Sequence, residues 1–227
     1  MMRRSTLLLR DLGLLGLLGA LTLLAAPLAQ AQTAVTRDDV IAKLNHFETD
    51  AAIDVTALRQ QTLERSKSRL KNEPPPQKRP PIAPDLTKLP AFNADIAFDV
   101  DTPIVMPESY QTVGRIADAL THSSLLPYTF LIVGHIESTG RRDNNVLLSQ
   151  RRADAIRDIL VNTFKIAPKR LQSVGLGEEQ LLDPARPNAP VNNQLQIMLV
   201  AKVADEPPAH PAPAAAAKKP AKPAKRH

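Results

Sequence analysis

Leu131-Ile132-Val133-Gly134-His135-Ile136-Glu137-Ser138-Thr139-Gly140, then Asn145, then Leu148-Ser149-Gln150-Arg151-Arg152-Ala153-Asp154-Ala155, is the stretch on which the reading of this chain turns. Its start completes an apolar run from Thr129 to Val133 that does not alternate. Such a run is expected of a central strand covered on both faces. Its end opens a long helix from about Asn145 to Phe164, with Leu148, Ala155, Ile156, Ile159, Leu160 and Phe164 inward at helical spacing. Glu137 follows the strand directly, and Arg152 falls in the first turns of the helix. One anion and one cation are thus carried on successive elements.

Working outward, Asp95 to Val100 alternates, placing Ile96, Phe98 and Val100 on one face of a strand. Pro107 to Leu120 reads as a helix that starts on Pro107 and turns Val113, Ile116, Ala117 and Leu120 inward. Leu171 to Leu176 and Leu195 to Val200 supply further strands. The order βαβαββ predicts an α+β fold with two helices packed on one mixed sheet. It occupies residues 91–202, an ordinary size for one domain.

On the N-terminal side, residues 32–73 read as a helical segment. Thr36-Arg37-Asp38-Asp39 resembles a capping box ahead of Val40, Ile41, Leu44 and Phe47. A second helical stretch around Leu58, Leu63 and Leu70 has a thin apolar stripe and calls for a docking partner, which an envelope protein could supply. Pro74-Pro75-Pro76, Pro80-Pro81, Pro84 and Pro90 mark 74–90 as a stiff extended linker. Residues 203–227 are a Pro/Ala/Lys tail that cannot bury a core and is expected to be disordered.

The first residues place the chain outside the cytoplasm. Arg3, Arg4 and Arg10 precede a leucine-rich run, Leu12 to Leu24, and Ala29-Gln30-Ala31 puts small residues where a signal peptidase reads. Residues 1–31 are therefore expected to be a signal peptide, with periplasmic export and association with cell wall or outer membrane. The alternative is an uncleaved anchor, although the run is short of the roughly 20 residues a spanning helix needs. The net charge of +6 belongs to the two ends, with Lys218, Lys219, Lys222, Lys225 and Arg226 in the tail. It does not describe a folded nucleic-acid face. In an envelope the tail would meet anionic surfaces, or act only as a solubilising segment. The absence of cysteine removes disulfides, thiol nucleophiles, cysteine-ligated metals and a lipid-bearing cysteine.

The Leu131–Ala155 residues resemble the C-terminal domain of the OmpA-like family, whose pattern is roughly GHTDxxG, then N, LSxxRA and a closing NRRV. Asp95 to Asp101 is similar to that family's opening strand, and Gly175-Leu176-Gly177-Glu178 to its GxGE turn. The resemblance covers about residues 91 to 202. It implies non-covalent peptidoglycan binding, without reaction or cofactor, through the diaminopimelate of the stem peptide. By motif position the family's ligand residues fall on Glu137, Asn145 and Arg152. An amino-acid end presents an ammonium beside a carboxylate, so its receptor needs one fixed anion and one fixed cation. A guanidinium pairs bidentately with a carboxylate, and backbone N–H groups near the helix start would add anion affinity.

The chain departs from the pattern in two places. Thr-Asp is Ile136-Glu137, which moves the carboxylate one methylene outward. Asn-Arg-Arg-Val is Asn192-Asn193-Gln194-Leu195, which removes both arginines. An alternative is therefore an envelope scaffold whose OmpA-like domain no longer binds peptidoglycan. Plainer readings stand beside the sharp ones. Glu137 and Arg152 could form only a surface salt bridge. Arg151 faces solvent or pairs with Asp154 or Asp158. His135 is a hydrogen-bonded residue at a strand end, and Ser149 a polar residue on a helix. No converging nucleophile, base or metal set points to an enzyme.

Overall fold

The computed structural model describes residues 35–45, 53–68 and 73–202. All belong to one compact unit that begins at Ala34. The leader with its Ala29-Gln30-Ala31 site, Phe47, Leu70 and the tail at 203–227 lie outside the described residues.

The sequence order holds between residues 91 and 202. Strand β1 is Ala91–Ala94, helix α3 Tyr110–Leu120, β2 Tyr128–His135, α4 Arg142–Asn162, β3 Leu171–Gly177 and β4 Leu195–Lys202. Ahead of them lie α1, Arg37–Leu44, and α2, Val55–Lys67. The strands form one sheet in the order β1-β4-β2-β3, with β2 parallel to β3 and antiparallel to β4. Among the described residues no helix is long and apolar enough to cross a membrane.

The opening strand lies earlier than its alternation suggests. Phe92 pairs with Ile197 and Ala94 with Leu195, the first residue of β4, so the partner strand runs out there. Residues 97–106 instead fold back on themselves through a Phe98–Val105 bridge and the Asp99 N–H donating to the Ile104 carbonyl at 2.9 Å. Val100, expected on a buried face, is 81% exposed at the tip of this turn.

Alternation along β2 divides the core. Phe130 and Ile132 join Leu195, Ile197 and Leu199 on one face, packed against Ile116 and Leu120 of α3 and Ile156 and Leu160 of α4. Val40 and Leu44 of α1 belong to the same cluster. Leu131 and Val133 point the other way with Val174, Leu176 and Met198. The cover on that second face comes from Val55 and Leu58 of α2 and from Leu86 and Leu89. So Leu58, from the stripe that suggested an outside partner, is buried with Val55 against the chain's own sheet. The 74–90 segment, expected as an extended linker, carries 3-10 turns at Pro76–Lys78 and Pro84–Lys88 and contributes two core leucines.

The capping box of α1 is present: the Thr36 hydroxyl accepts from the Asp39 N–H, and Asp39 accepts from the Thr36 N–H. Helix α4 lies directly on the strands because two positions lack a side chain. A Cβ at Gly134 would stand 2.3 Å from the Ser149 carbonyl oxygen, and one at Gly175 would stand 2.1 Å from the Gln150 nitrogen. Only glycine allows that approach. Strand β3 is an edge strand, and its outward groups are met by side chains. Arg157 donates to the Leu171 carbonyl and Arg59 to the Ser173 carbonyl, both through Nε at 2.9 Å. Gln150 accepts from the Gly175 N–H at 2.8 Å and Ser149 from the Gly177 N–H at 2.9 Å.

Candidate functional site

Helix α4 and the loop before it position the three residues marked by the sequence. Glu137 follows the end of β2, where the Ile136 N–H donates to the Gly177 carbonyl at 3.1 Å. Asn145 is buried in the first turn of α4 and organises that loop. Its amide nitrogen donates to the Glu137 carbonyl at 3.3 Å and to the Glu178 carboxylate at 2.8 Å, and its oxygen accepts from the Thr139 hydroxyl at 3.0 Å. The Glu137 carboxylate itself makes no ion pair among the described residues.

Arg152 is 8% exposed and lies under the turn at 99–102. Its Nε donates to the Thr102 carbonyl at 3.0 Å, and Nη1 to the Asn193 side chain at 2.8 Å. A longer contact, 3.5 Å, reaches the Asp99 carbonyl, and the Phe98 ring lies 4.8 Å from the guanidinium carbon. Asp101 tops the turn at φ 55°, a left-handed conformation an aspartate can adopt. It pairs with Arg141 at 3.3 Å, not with Arg152.

A guanidinium has five N–H groups. Among the described residues only three contacts take them up, all to neutral oxygens. Burial lowers the pKa of Arg152, and the Asp101 charge offsets this only in part. The residue therefore presents a cation inside the protein with no carboxylate in contact.

The structure joins Asn145 to the Glu137 main chain, but it does not join the Glu137 carboxylate to Arg152 in a salt bridge. It also moves Arg152 deeper into the helix than its sequence position suggests. Helix α4 starts at Arg142, so Arg152 stands about 15 Å along the axis and the helix's first N–H groups do not reach it. Those N–H groups lie instead near Asn145. The open groove beside the site, about 240 Å³, runs between the turn and α4 and is lined by Asp101, Arg141, Asn145, Leu148 and Arg151. Arg151 is exposed there, with no ion pair among the described residues. A larger groove of about 480 Å³, bordered by Arg59, Asp154 and Arg157, contains none of the three marked residues.

His135 is 2% exposed, with Nδ1 2.8 Å from the Gln180 carbonyl and Nε2 3.0 Å from the Gln196 side chain. Burial pulls its pKa below the ordinary value, and the two hydrogen bonds oppose this. Ser149 is fully buried, donating to the Val146 carbonyl. Both are structural, as their sequence setting implied. The residues that sequence reasoning did not place in the site are Thr102, Asn193, Glu178 and Arg79. Asn193 stands where an arginine is absent from the closing motif, and Glu178 closes the GxGE-like turn, so both carried a signal. Thr102 and Arg79 carried none, because one acts through its backbone and the other lies 99 residues from its partner. Among the described residues no group of His, Asp and Glu could hold a metal ion.

The comparisons with known proteins fall on the same segment. The model of the OmpA family matches residues 97–195. Outer membrane porin F of Pseudomonas fluorescens is 39% identical over 87 residues, which is 38% of this chain and 26% of the relative. The peptidoglycan-associated lipoprotein of Brucella suis is 32% identical over 85 residues, 37% of this chain and 49% of the relative. The matched segment thus spans from about a quarter to about half the length of these curated relatives. Among solved structures, the cell wall anchor of the T6SS from Pseudomonas aeruginosa is 26% identical with a TM-score of 0.39, covering 49% of this chain and 80% of that one. A βαβαββ order, a Gly-His-Ile-Glu strand end, an Asn-tied loop and the family match coincide, and residues 97–195 of this chain match the OmpA family model.

Proposed function

We propose that this chain is a non-catalytic cell-envelope protein that holds peptidoglycan non-covalently through the diaminopimelate of the stem peptide. Arg152 takes the carboxylate of the amino-acid end and Glu137 takes its ammonium. Asn145 acts through the loop it holds, since both its amide hydrogens have protein acceptors.

The observation that carries this reading is the Arg152 guanidinium, buried and without a carboxylate partner. A buried cation left in that state is costly, and a ligand carboxylate would relieve the cost. The name of the Brucella relative, a peptidoglycan-associated lipoprotein, supports the ligand class. A second reading, a scaffold that has lost the ligand, is favoured by one observation. Asn193 stands in place of an arginine and already takes one Arg152 N–H.

The test is sedimentation with purified peptidoglycan, with and without free diaminopimelate as competitor. Wild type should sediment and be released by the free amino acid. Arg152→Ala should stay in the supernatant while its far-UV circular dichroism remains that of wild type. Loss of a charge-assisted bidentate contact should weaken binding about a hundredfold. Failure of wild type to sediment, with recovery in Ile136→Thr/Glu137→Asp, would select the scaffold reading instead.

A further inference from the structure

Three arginines and three glutamates meet where the N-terminal segment touches the domain. Glu179, whose side chain is fully buried, is gripped by Arg65 of α2 at 3.0 Å and by Arg142 of α4 through both Nε and Nη2. Arg142 also reaches Glu73 at 2.6 Å, and Glu73 lies 3.6 Å from Arg79. Arg79 in turn donates to Glu178 at 3.0 Å, and Glu178 is 4% exposed. Residues 65, 73 and 79 all lie outside the segment matched by the family model.

The cluster does not end at Glu178. Its second carboxylate oxygen accepts from the Asn145 amide at 2.8 Å, and the same amide holds the Glu137 carbonyl. An unbroken path of hydrogen bonds therefore runs from Arg79 through Glu178 and Asn145 to the loop carrying Glu137. Pairing with Arg79 fixes which way the Glu178 carboxylate faces. That orientation decides whether Asn145 has its acceptor, and Asn145 fixes where Glu137 begins.

We propose that Arg79 is a positioning residue, and that the N-terminal segment serves as a clamp holding the Glu137–Asn145 loop in its receptive geometry. The ligand named in this proposal rests on the function proposed above, whereas the clamp on the loop is separable from it. Because coupling between two sites is reciprocal, occupation of the loop also tightens the docking of residues 73–79. The ligand site and the N-terminal segment thus act as one device.

Two readouts on the full chain decide the matter: hydrogen exchange of the Asn145 side-chain amide by NMR, and calorimetric titration with free diaminopimelate. Arg79→Ala should speed Asn145 exchange and weaken the titration, each by about tenfold. Arg79→Lys, which keeps a cation near Glu178, should recover part of both. Leu58→Ala removes core on the same face without touching the path, so it should lower Tm while leaving both readouts near wild type. Asn145 exchange unchanged in Arg79→Ala would overturn the clamp. So would Leu58→Ala moving both readouts as far as Arg79→Ala, since general loosening would then suffice. If wild type fails to bind diaminopimelate while Asn145 exchange still follows Arg79, the clamp stands and the ligand reading falls.

Discussion

The two faces of the sheet are covered in different ways. On one, α3 and α4 lay down rows of aliphatic side chains, Val113, Ile116 and Leu120 opposite Ile156 and Leu160, all essentially buried. On the other, α2 offers Val55 and Leu58 and then turns Thr62 and Ser66 inward, and the remaining cover is Leu86 and Leu89 from a proline-rich stretch. The first cover is held by apolar area, whereas the second is thinner in apolar area and is pinned by the Arg65–Glu179 and Arg79–Glu178 pairs. Apolar packing is non-directional, whereas a hydrogen-bonded ion pair fixes the orientation of both its members. The ion-paired cover is linked to the Glu137 loop through Glu178 and Asn145.

Breaking the pinning should give the largest effect. Arg142→Ala leaves Glu179 and Glu73 short of a partner, and removing one member of a buried pair costs about 3–5 kcal/mol. Chemical denaturation should show this, and Arg142→Ala/Glu179→Gln should regain part of the loss. A change under about 1 kcal/mol would mean that water already screens the cluster.

Comparing truncations on the two faces sharpens the contrast. Ile156→Ala, fully buried under α3 and the sheet, should cost about 3–4 kcal/mol, and Leu58→Ala, 7% exposed on a cover that can settle, about 2 kcal/mol. Equal losses would show that the second cover is as tightly packed as the first.

The family segment was legible in the sequence because its elements carry strong periods. Ile156 and Leu160 repeat at helical spacing, and the Thr129–Val133 run announced a strand buried on both sides. That run also implied a second cover, but α2 did not look like one. Its inward Thr62 and Ser66 are polar, satisfied by the Leu58 and Leu63 carbonyls, so the apolar stripe fades after Leu58. Prolines at 74–90 argued for extension, and the leucines between them could not be assigned a face. The site was legible as residue types, Glu137, Asn145 and Arg152, but not as contacts. Arg152's partners are two backbone carbonyls and an asparagine side chain, and backbone acceptors leave no trace in side-chain motifs.

Lower in magnitude is the pH response of His135, the buried last residue of β2. Its folded pKa is lowered by burial, so the unfolded chain binds the proton more readily. Stability is then complete above the ordinary value of about 6.5 and is lost as pH falls below it toward the lowered folded value. Thermal melts should show Tm falling by about 5 °C between pH 7.5 and 5.5. His135→Gln should flatten that slope.

The smallest effect should come from the exposed end of the first cover. Thr36→Ala removes the hydroxyl that caps α1 and should cost about 0.5–1 kcal/mol. Exchange protection should fall in α1 and remain unchanged in α2, because the two helices dock on different clusters.

The capped edge of β3 bears on how this protein meets other chains. An exposed edge strand is a template onto which a neighbour's strand can add. Here Arg157, Arg59, Gln150 and Ser149 already occupy carbonyls and N–H groups along that edge. A neighbour seeking to extend the sheet would have to displace two guanidinium groups first. Arg59 and Arg157 thus guard the β3 edge of the sheet against strand addition by another chain.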